Sequence, residues 1–357
     1  MIYPSSRHAH VIGLGLIGAS MALALKQAGW RVTGEDANDE TLTLALAQGI
    51  IDAGEMSAAH TLVIIATPAG AVADTATRLL AQFTQPELVV SDVAGVKSAI
   101  VEEVTDERFL GGHPMAGSEL RGLRGAREDL FQGCTWVLTP TDTTRPALYS
   151  TLHGILREIG ANVVAVSAAD HDRLVALASH VPHLLAGALM NEAAQAAQQD
   201  AVLLQLAAGG FRDMTRVAAG DPTIWPDILF ENRDAITATL TSLQARLARL
   251  RAALVEGDRT VIEEGLRTAS DARRQLPGRA LNSENLAYLR VEISDQPGSL
   301  ATVTRAASEL LINIYDIEIA HGIEGIAGTL LLTVDALRAE TLYDALHDLG
   351  FKVAREQ

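Results

Sequence analysis

The sequence predicts three successive parts: an α/β part over residues 1–168, an all-helical part over 169–275 and a small α+β part over 286–357. Up to residue 168, short apolar runs alternate with helical patterns. Two of the runs, LVIIA (62–66) and LVVSDV (88–93), are largely apolar without alternation, which is typical of parallel strands covered on both faces. Beyond about residue 170, Ala- and Leu-rich helical patterns replace them.

The α/β part is predicted to contain seven strands. They are Ala9–Gly13, Trp30–Gly34, Leu62–Ala66, Leu88–Val93, Phe109–Gly112, Thr135–Thr139 and Asn162–Val166.

The first strand leads into the motif G-x-G-x-x-G, formed by Gly13, Gly15 and Gly18. In such a turn the first glycine permits a tight bend, the second lets the backbone approach a pyrophosphate, and the third lets the helix pack closely on the strand. The motif predicts a Rossmann-type dinucleotide-binding domain. The alternative is a structural turn that binds no cofactor. The predicted cofactor-binding residues here are Gly13, Leu14, Gly15, Leu16, Ile17 and Gly18.

An acidic residue, Asp36, follows the second strand, where a carboxylate can bind the ribose 2′-hydroxyl. Because a carboxylate repels a 2′-phosphate, Asp36 and the neighbouring Glu35 favour NAD over NADP. Ligands of open α/β sheets bind at the carboxyl ends of strands. Thr67, Pro68 and Ala94, which follow two such ends, are therefore expected to line the nicotinamide side.

Composition restricts the class of protein. A formal net charge of −16 argues against nucleic acid as a partner, and the single cysteine, Cys134, fits a reducing compartment. The opening residues lack the apolar core of a signal peptide, and no later run is expected to span a bilayer. The sequence therefore predicts a cytoplasmic protein without membrane contact.

The helices of the helical part are too apolar for one small bundle to bury all of their apolar faces. We therefore expect them to pack against a second subunit in a homodimer. A self-contained bundle is the alternative. A polar linker (276–285) follows it, and then a β-α-β-β-α-β pattern of ferredoxin-like order. Its strands are predicted at Leu286–Ile293, Ile314–Ala320, Ala327–Val334 and Phe351–Ala354, and its helices at Ser299–Leu311 and Leu337–Leu349.

His113 stands in the loop GGHPMAGSE (111–119) after the fifth strand. An imidazole at the carboxyl end of a strand can exchange a proton near neutral pH, although a lone histidine in a surface loop is also common. His180 and His183 lie three residues apart in SHVPH. A metal site is disfavoured there because no third ligand stands out, and His171 could equally be solvated; no metal is predicted.

Arg212 and Arg216 lie in GGFRDMTR (209–216), and a helix beginning after the glycine pair would place them on one face. Two guanidinium groups on one face can bind two carboxylates of a small-molecule substrate. A solvated face paired with Asp213 is the alternative. Downstream, Trp225 would supply an aromatic wall.

Taken together, GGHPMAGSE, SHVPH, GGFRDMTRVAAGDPTIW and LFEN, in this order behind the glycine motif, resemble the prephenate dehydrogenase family over residues 9 to about 270. The segment DQPGSL (295–300) followed by Asn313 resembles an ACT regulatory domain. The first resemblance implies NAD-dependent oxidative decarboxylation of prephenate to 4-hydroxyphenylpyruvate. The second implies an effector site at Asp295, Gly298 and Asn313, with tyrosine as the natural effector.

The family resemblance also implies roles for individual residues. His113 would take the proton of the ring hydroxyl, Arg216 would bind a substrate carboxylate with support from Arg212, and His180 and His183 would line the cleft. The remaining substrate-binding residues would be Glu119 and Asp213, which position the arginines or gate the entrance, and Trp225, which closes the pocket.

One position departs from the family pattern: Gly95 stands where the family usually has a serine, in DVAGVK (92–97). A non-catalytic amino-acid sensor that has lost its chemistry at Gly95 is therefore one alternative, although His113, Arg212 and Arg216 count against it. An arogenate dehydrogenase is a second alternative, because the sequence does not separate the two substrates. A β-hydroxyacid dehydrogenase is disfavoured because that chemistry uses a lysine in the helical region, and this chain has none between Lys97 and Lys352.

Overall fold

The structure is a computed structural model, which describes residues 7–117, 120, 122–200, 202–203, 205–220, 222–274, 286–294, 296, 298–321 and 327–356. Its strands are β1 His8–Ile12, β2 Arg31–Glu35, β3 Leu62–Ile65, β4 Val89–Asp92, β5 Phe109–Pro114, β6 Thr135–Thr139, β7 Asn162–Ala165, β8 Leu286–Ser294, β9 Ile314–His321, β10 Ala327–Asp335 and β11 Lys352–Glu356. Its α-helices are α1 Leu16–Gln27, α2 Asp39–Ala47, α3 Ala69–Gln82, α4 Ser98–Glu103, α5 Pro146–Glu158, α6 Ala168–Val175, α7 Val181–Ala197, α8 Gly209–Thr215, α9 Trp225–Glu231, α10 Arg233–Glu256, α11 Arg259–Arg274, α12 Ser299–Glu309 and α13 Ala339–Asp348.

The first seven strands form one sheet in the order β2-β1-β3-β4-β5-β6-β7. All neighbours run parallel except β5 and β6, which pair antiparallel with Gly112 opposite Leu138. The two runs that are typical of parallel strands, β3 and β4, do pair in parallel, and the sheet as a whole is mixed because of the β5–β6 pair. A parallel pair needs a long crossover, usually a helix, and the described residues between β5 and β6 contain only a short 3-10 turn, Gly122–Gly125.

Both faces of this sheet are buried. On β3, Leu62 and Ile64 pack into one apolar cluster, while Val63 and Ile65 pack into a second one. Because successive side chains of a strand point to opposite faces, this division explains why the strand is apolar at every position.

The chain divides into two compact units. The first contains residues 1–172, 221–231 and 285–357, and the second contains 173–220 and 232–284. The second unit is helical throughout its described secondary structure, with α7, α8, α10 and α11 as its main helices. In the first unit, the last four strands form an antiparallel sheet in the order β11-β8-β10-β9, with α12 and α13 as its helices. The predicted β-α-β-β-α-β order of this segment is therefore confirmed.

One helical stretch, Ala168–Ala197, is long and apolar enough to cross a membrane by length and composition alone. This differs from the expectation that no run would be. Only 28% of its most apolar window is buried within the chain. A single such helix is weak evidence for a membrane span, because a core helix of a water-soluble protein passes the same test.

The C-terminal sheet lies against the seven-stranded sheet inside the first unit, where β9 contacts the edge strand β7 and helix α5. His153 on α5 hydrogen-bonds Asp316 on β9 through Nε2 and Oδ1, 2.9 Å apart. Arg157, one turn further along α5, lies 3.4 Å from the other carboxylate oxygen of Asp316. A charged contact therefore joins helix α5 to strand β9 of the C-terminal sheet.

Candidate active site

The turn between β1 and α1 forms a cradle of bare backbone. Gly13 has φ +91°, and a Cβ atom there would lie 2.6 Å from the carbonyl oxygen of Ala66. A Cβ on Gly18 would lie 1.9 Å from the carbonyl oxygen of Gly13, so these two glycines are required by close packing. Gly15 is different, because its Cβ position has no atom within 4 Å. The open space at Gly15, before the N-terminus of α1, suits a pyrophosphate group.

Asp36 lies beside this cradle, directly after β2. Its Oδ2 accepts a hydrogen bond from the backbone N–H of Leu14 (2.7 Å), and its Oδ1 accepts one from Asn38 (2.9 Å). These bonds fix the orientation of the carboxylate, and each oxygen keeps a second lone pair for a ribose hydroxyl. The Leu14 side chain is fully buried, so Leu14 shapes this region through its backbone.

A cleft of about 580 Å³ opens at this edge of the sheet. It is lined by Gly13, Gly15, Asp36, Thr67 and Pro68, all five of them predicted cofactor-binding residues, together with Ile12, Glu35, Ala37, Ala66, Thr75 and Arg78. The hydroxyl oxygen of Thr67 is buried and has no hydrogen-bond partner among the described residues. A buried hydroxyl without a partner is costly unless a ligand pairs with it, so the cleft fits a bound dinucleotide.

Sequence reasoning missed Ile12, Ala37 and Ala66, which adjoin predicted residues, and also missed Thr75 and Arg78 on α3. No motif marks Arg78, and only the packing of α3 beside β3 brings it to the cleft. The other predicted cofactor-binding residues lie at the edges: Leu16 and Ile17 are half-buried in the first turn of α1, and Ala94 is buried after β4. The N–H of Ala94 donates to the carboxylate of Asp92 over 2.9 Å.

His113 lies near the carboxyl end of β5, half-buried. Its Nε2 is 3.7 Å from the position that a Cβ on Gly95 would occupy. A serine at position 95 would therefore touch the imidazole, and the glycine leaves that space open. The backbone around Gly95 is positioned by Asp92, whose carboxylate also accepts the N–H of Gly112 over 3.0 Å.

Asp92 also forms an ion pair with Lys97, and both side chains are fully buried. Burial lowers the pKa of Lys97, although the adjacent carboxylate of Asp92 opposes that shift. The pair links the end of β4 to the loop before α4. Because both side chains are buried, removing one partner would leave the charge of the other buried and uncompensated.

His113 also hydrogen-bonds to His171: Nδ1 of His113 lies 2.8 Å from Nε2 of His171. The suggestion that His171 is solvated is wrong, since the residue is 1% exposed. Its own Nδ1 lies 2.8 Å from Oδ1 of Asp172. Asp172 accepts two further hydrogen bonds, from the backbone N–H groups of Lys97 and Ser98 (2.8 Å each). The three side chains thus form a continuous hydrogen-bonded chain, Asp172–His171–His113.

Local sequence explains why His171 and Asp172 lie there. The hydroxyl of Ser167 accepts the N–H of Asp170 (3.1 Å) and donates to its carboxylate (2.7 Å), a reciprocal cap that starts α6. The cap places the start of α6 shortly after β7, with His171 at the end of its first turn and Asp172 at the beginning of its second.

In the helical unit, His180 is 2% exposed and ends a π-helical turn, Ala176–His180. Its Nδ1 lies 3.1 Å from the side-chain amide nitrogen of Asn232, which donates to it. His183, one turn later, is half-buried, and burial lowers its pKa. Such π-helical turns are frequent at functional sites.

Arg212, Asp213 and Arg216 are exposed in the same unit. Helix α8 begins at the glycine pair rather than after it and ends at Thr215, so Arg216 opens a 3-10 turn. The prediction of one α-helix carrying both arginines is therefore wrong in its bounds. Trp225 begins α9 in the first unit and is half-buried. Glu119 lies outside the described residues.

Of the predicted effector residues, Gly298 caps α12 with φ +89°, and Asn313 is exposed just before β9. Asp295 lies outside the described residues.

Comparison with known protein families gives two adjoining matches. Residues 21–165 match the family described as prephenate dehydrogenase, nucleotide-binding domain, and residues 167–268 match prephenate dehydrogenase, dimerization domain.

Individual relatives agree with these matches. A prephenate dehydrogenase from Bacillus subtilis is 34% identical over 93% of this chain and 94% of its own length. Among solved structures, prephenate dehydrogenase from Aquifex aeolicus in complex with hydroxyphenyl propionate and NAD+ is 28% identical with a TM-score of 0.71, covering 77% of this chain and 99% of that one. Arogenate dehydrogenase from Synechocystis is 29% identical with a TM-score of 0.65, covering 76% of this chain and all of that one.

Proposed function

Because this chain belongs to the prephenate dehydrogenase family, we propose that it catalyses the NAD-dependent oxidative decarboxylation of prephenate to 4-hydroxyphenylpyruvate. The observation that carries this proposal is the dinucleotide-sized cleft in a chain that is 34% identical, almost end to end, to a prephenate dehydrogenase. The same family includes the structurally similar arogenate dehydrogenase, so arogenate is the second candidate substrate.

When bound, NAD+ would supply the acceptor for the hydride that leaves the ring carbon bearing the hydroxyl. The residues that would hold it are Gly13, Gly15, Asp36, Thr67 and Pro68 in the cleft, with Leu14, Leu16, Ile17, Gly18 and Ala94 around it. We assign the selectivity for NAD over NADP to the carboxylate of Asp36, which would bind the ribose 2′-hydroxyl and repel a 2′-phosphate.

The proton chemistry is assigned to His113. Its imidazole takes the hydroxyl proton of the substrate as the ring carbonyl forms. Carbon dioxide then leaves from the opposite ring carbon, and the electron pair of the broken bond passes into the ring, which becomes aromatic. The phenolate oxygen takes the proton back from His113, so the step consumes no net proton.

Substrate binding is assigned to the helical unit and its neighbours. We propose that Arg216 binds a substrate carboxylate, that Arg212 and Asp213 support it, and that His180 and His183 line the pocket. Trp225 would close that pocket and Glu119 would gate it. Truncating one partner of such a charge-assisted bidentate pair costs on the order of 2–5 kcal/mol of binding free energy.

The protein is further proposed to be a cytoplasmic homodimer assembled through the helical unit. On α10, Leu247, Leu250 and Leu254 repeat at helical spacing and are 54%, 38% and 70% exposed. A row of exposed leucines on a helix is typical of a face that another subunit covers. The family description of this region as a dimerization domain supports a second copy of this chain as the occupant.

The C-terminal segment is proposed to be an ACT-like regulatory domain that binds tyrosine near Asp295, Gly298 and Asn313. The β-α-β-β-α-β order and the left-handed conformation of Gly298 before α12 support this assignment, since a glycine there lets a carboxylate approach the helix N-terminus.

The test is the appearance of NADH absorbance when the purified protein is supplied with NAD+ and either prephenate or arogenate, each with and without tyrosine. We expect turnover with prephenate and a changed rate when tyrosine is added. Turnover with arogenate alone would reassign the substrate. Binding of tyrosine without turnover of either substrate would overturn the enzymatic proposal in favour of an amino-acid sensor.

A further inference from the structure

We propose that His171 and Asp172 are positioning residues that hold His113 in the tautomer with its proton on Nδ1, so that Nε2 is the atom that accepts the substrate proton. This inference rests on the proposed function and adds two residues to its machinery. Neither residue contacts the cofactor cleft, and both act through His113.

The direction of each hydrogen bond follows from the first one. A carboxylate is acceptor-only, so the 2.8 Å contact between Asp172 Oδ1 and His171 Nδ1 requires the proton of His171 to lie on Nδ1. The Nε2 of a neutral His171 is then an acceptor. The next contact, 2.8 Å to His113 Nδ1, therefore requires His113 to donate from Nδ1. In a neutral imidazole that leaves the lone pair on Nε2, the atom that faces Gly95.

The charge states agree with this assignment. Burial lowers the pKa of His171, and Lys97 lowers it further, while Asp172 and Asp92 act in the opposite direction. Burial raises the pKa of Asp172, but hydrogen bonds from His171 and Ser98 outweigh it and the net shift is downward. Near neutral pH Asp172 is therefore a carboxylate and His171 a neutral imidazole.

The arrangement also helps His113 after it takes the proton. The new imidazolium donates from Nδ1 to His171, whose other nitrogen donates to a carboxylate held by the backbone N–H groups of Lys97 and Ser98. A fixed negative charge at the end of the chain stabilises the positive charge that develops at its beginning. A carboxylate that orients a histidine and stabilises its protonated form is known from hydrolytic triads; here a second imidazole lies between them.

The first experiment reads the tautomer directly, from the ¹⁵N chemical shifts of ¹⁵N-histidine-labelled full-length protein with NAD+ bound at about pH 8, where free histidine is neutral. The variant His113→Asn identifies the resonances of that residue. We expect both His113 and His171 to carry the proton on Nδ1. A wild-type His113 with its proton on Nε2 would overturn the proposal without any variant having to fold.

The second experiment separates positioning from structural support. Asp172→Asn, whose amide can donate to His171 and reverse the chain, is expected to lower kcat about 100-fold or more. The KM for substrate and the affinity for NAD+ should stay within about twofold, because the carboxylate acts only through His113. Asp170→Asn is the matched control, since that carboxylate caps the same helix through Ser167 and should leave kcat nearly unchanged. A folded Asp172→Asn protein with wild-type kcat would contradict the proposal.

His171 offers an independent pair of variants. The amide oxygen of His171→Gln can still accept from His113 Nδ1, whereas His171→Leu cannot. We expect the kcat of the glutamine variant to be at least tenfold higher than that of the leucine variant. Equal losses of kcat would contradict the positioning of His113 by His171. The two hypotheses can be told apart. If His171 and Asp172 do not position His113, the wild-type protein still turns over substrate. If the proposed function is wrong, the wild-type protein shows no turnover, but the ¹⁵N spectrum still reports the tautomer of His113.

Discussion

Asp36 is the residue to which we assign the choice of cofactor, through the geometry of its carboxylate. Its two oxygens already accept N–H groups from Leu14 and Asn38, so the group is oriented before any ligand arrives. Pre-orientation lowers the entropy lost on binding, because the side chain need not be ordered at that moment.

Asp36→Asn should therefore reduce the preference for NAD+ over NADP+ by about tenfold, since a neutral amide does not repel a 2′-phosphate. The measurement is the ratio of kcat/KM values for the two cofactors. Glu35→Gln is the matched control at the adjacent exposed position, and we expect a smaller change. An unaltered ratio in Asp36→Asn would remove this residue from the ribose site.

Gly95 leaves a space beside His113 that a serine can enter. The nearest described atoms to its Cβ position are Nε2 and Cε1 of His113, at 3.7 and 3.8 Å, which is ordinary van der Waals contact. If substrate binds beside His113 as proposed, Gly95→Ser adds a hydroxyl that can hydrogen-bond its ring oxygen. A hydrogen bond of this type contributes roughly 0.5–1.5 kcal/mol, so the KM for substrate should fall about 2- to 10-fold.

Gly95→Ala separates the effect of added volume from that of the hydroxyl in the same steady-state assay. If both variants raise KM equally, the space is needed by substrate or cofactor, and the expectation for the serine is wrong.

At the scale of elements, two glycines of the β1–α1 turn that are only three residues apart are required for different reasons. Gly18 is fixed by packing and Gly15 is not, although both belong to the same motif. We predict that Gly18→Ala lowers the thermal stability of the first unit, because a Cβ would collide with the backbone of Gly13. Gly15→Ala should instead leave the melting temperature nearly unchanged and weaken NAD+ binding. Thermal unfolding and cofactor titration of both variants check this, and equal loss of stability would contradict it.

Strand β1 also contains a buried titratable group, His10. Its Nδ1 lies 2.7 Å from the Thr33 hydroxyl, and burial, with His60 adding to it, lowers the pKa of His10 to about 4. The unfolded chain binds this proton near pH 6.5 and the folded chain only near 4, so stability is fully present above 6.5 and is lost as the pH falls between these values. The loss reaches on the order of 3 kcal/mol.

The free energy of unfolding of wild type and His10→Asn, measured by denaturant titration between these pH values, tests this contribution. The variant should show the flatter pH dependence, whereas His347→Asn, at an exposed position on α13, should keep the wild-type slope. Parallel curves for all three proteins would contradict the assignment to His10.

The elements themselves could be predicted because their signals are local. Consecutive apolar residues mark β3 and β4, and the glycine motif marks the β1–α1 turn. The reversed direction of β6 could not be predicted, since it depends on how a connection folds in space. The same limit hides the contact between His113 and His171, which lie 58 positions apart. Arg78 was missed because nothing in its neighbourhood distinguishes it from a solvated arginine on a helix.

For the whole molecule, the exposed leucines of α10 give the proposed homodimer a specific test. The double variant Leu250→Glu with Leu254→Glu places two charges on that face, and burying an unpaired charge is costly. We expect monomers in light scattering at concentrations where the wild type is dimeric. Leu337→Glu is the control, because Leu337 is 91% exposed in the C-terminal segment. A double variant that stays dimeric would place the interface elsewhere.

The contact between β7 and β9 bears on the solubility of shortened forms of this chain. β7 is the last strand of its sheet, and an uncovered last strand offers unpaired N–H and C=O groups to any passing strand of another molecule. Here β9 lies against it and Asp316 is tied to His153 behind it. Deleting residues 286–357 would expose β7 as an uncovered edge strand of the nucleotide-binding sheet. Aggregation of such a fragment would therefore say nothing about whether its catalytic groups are intact.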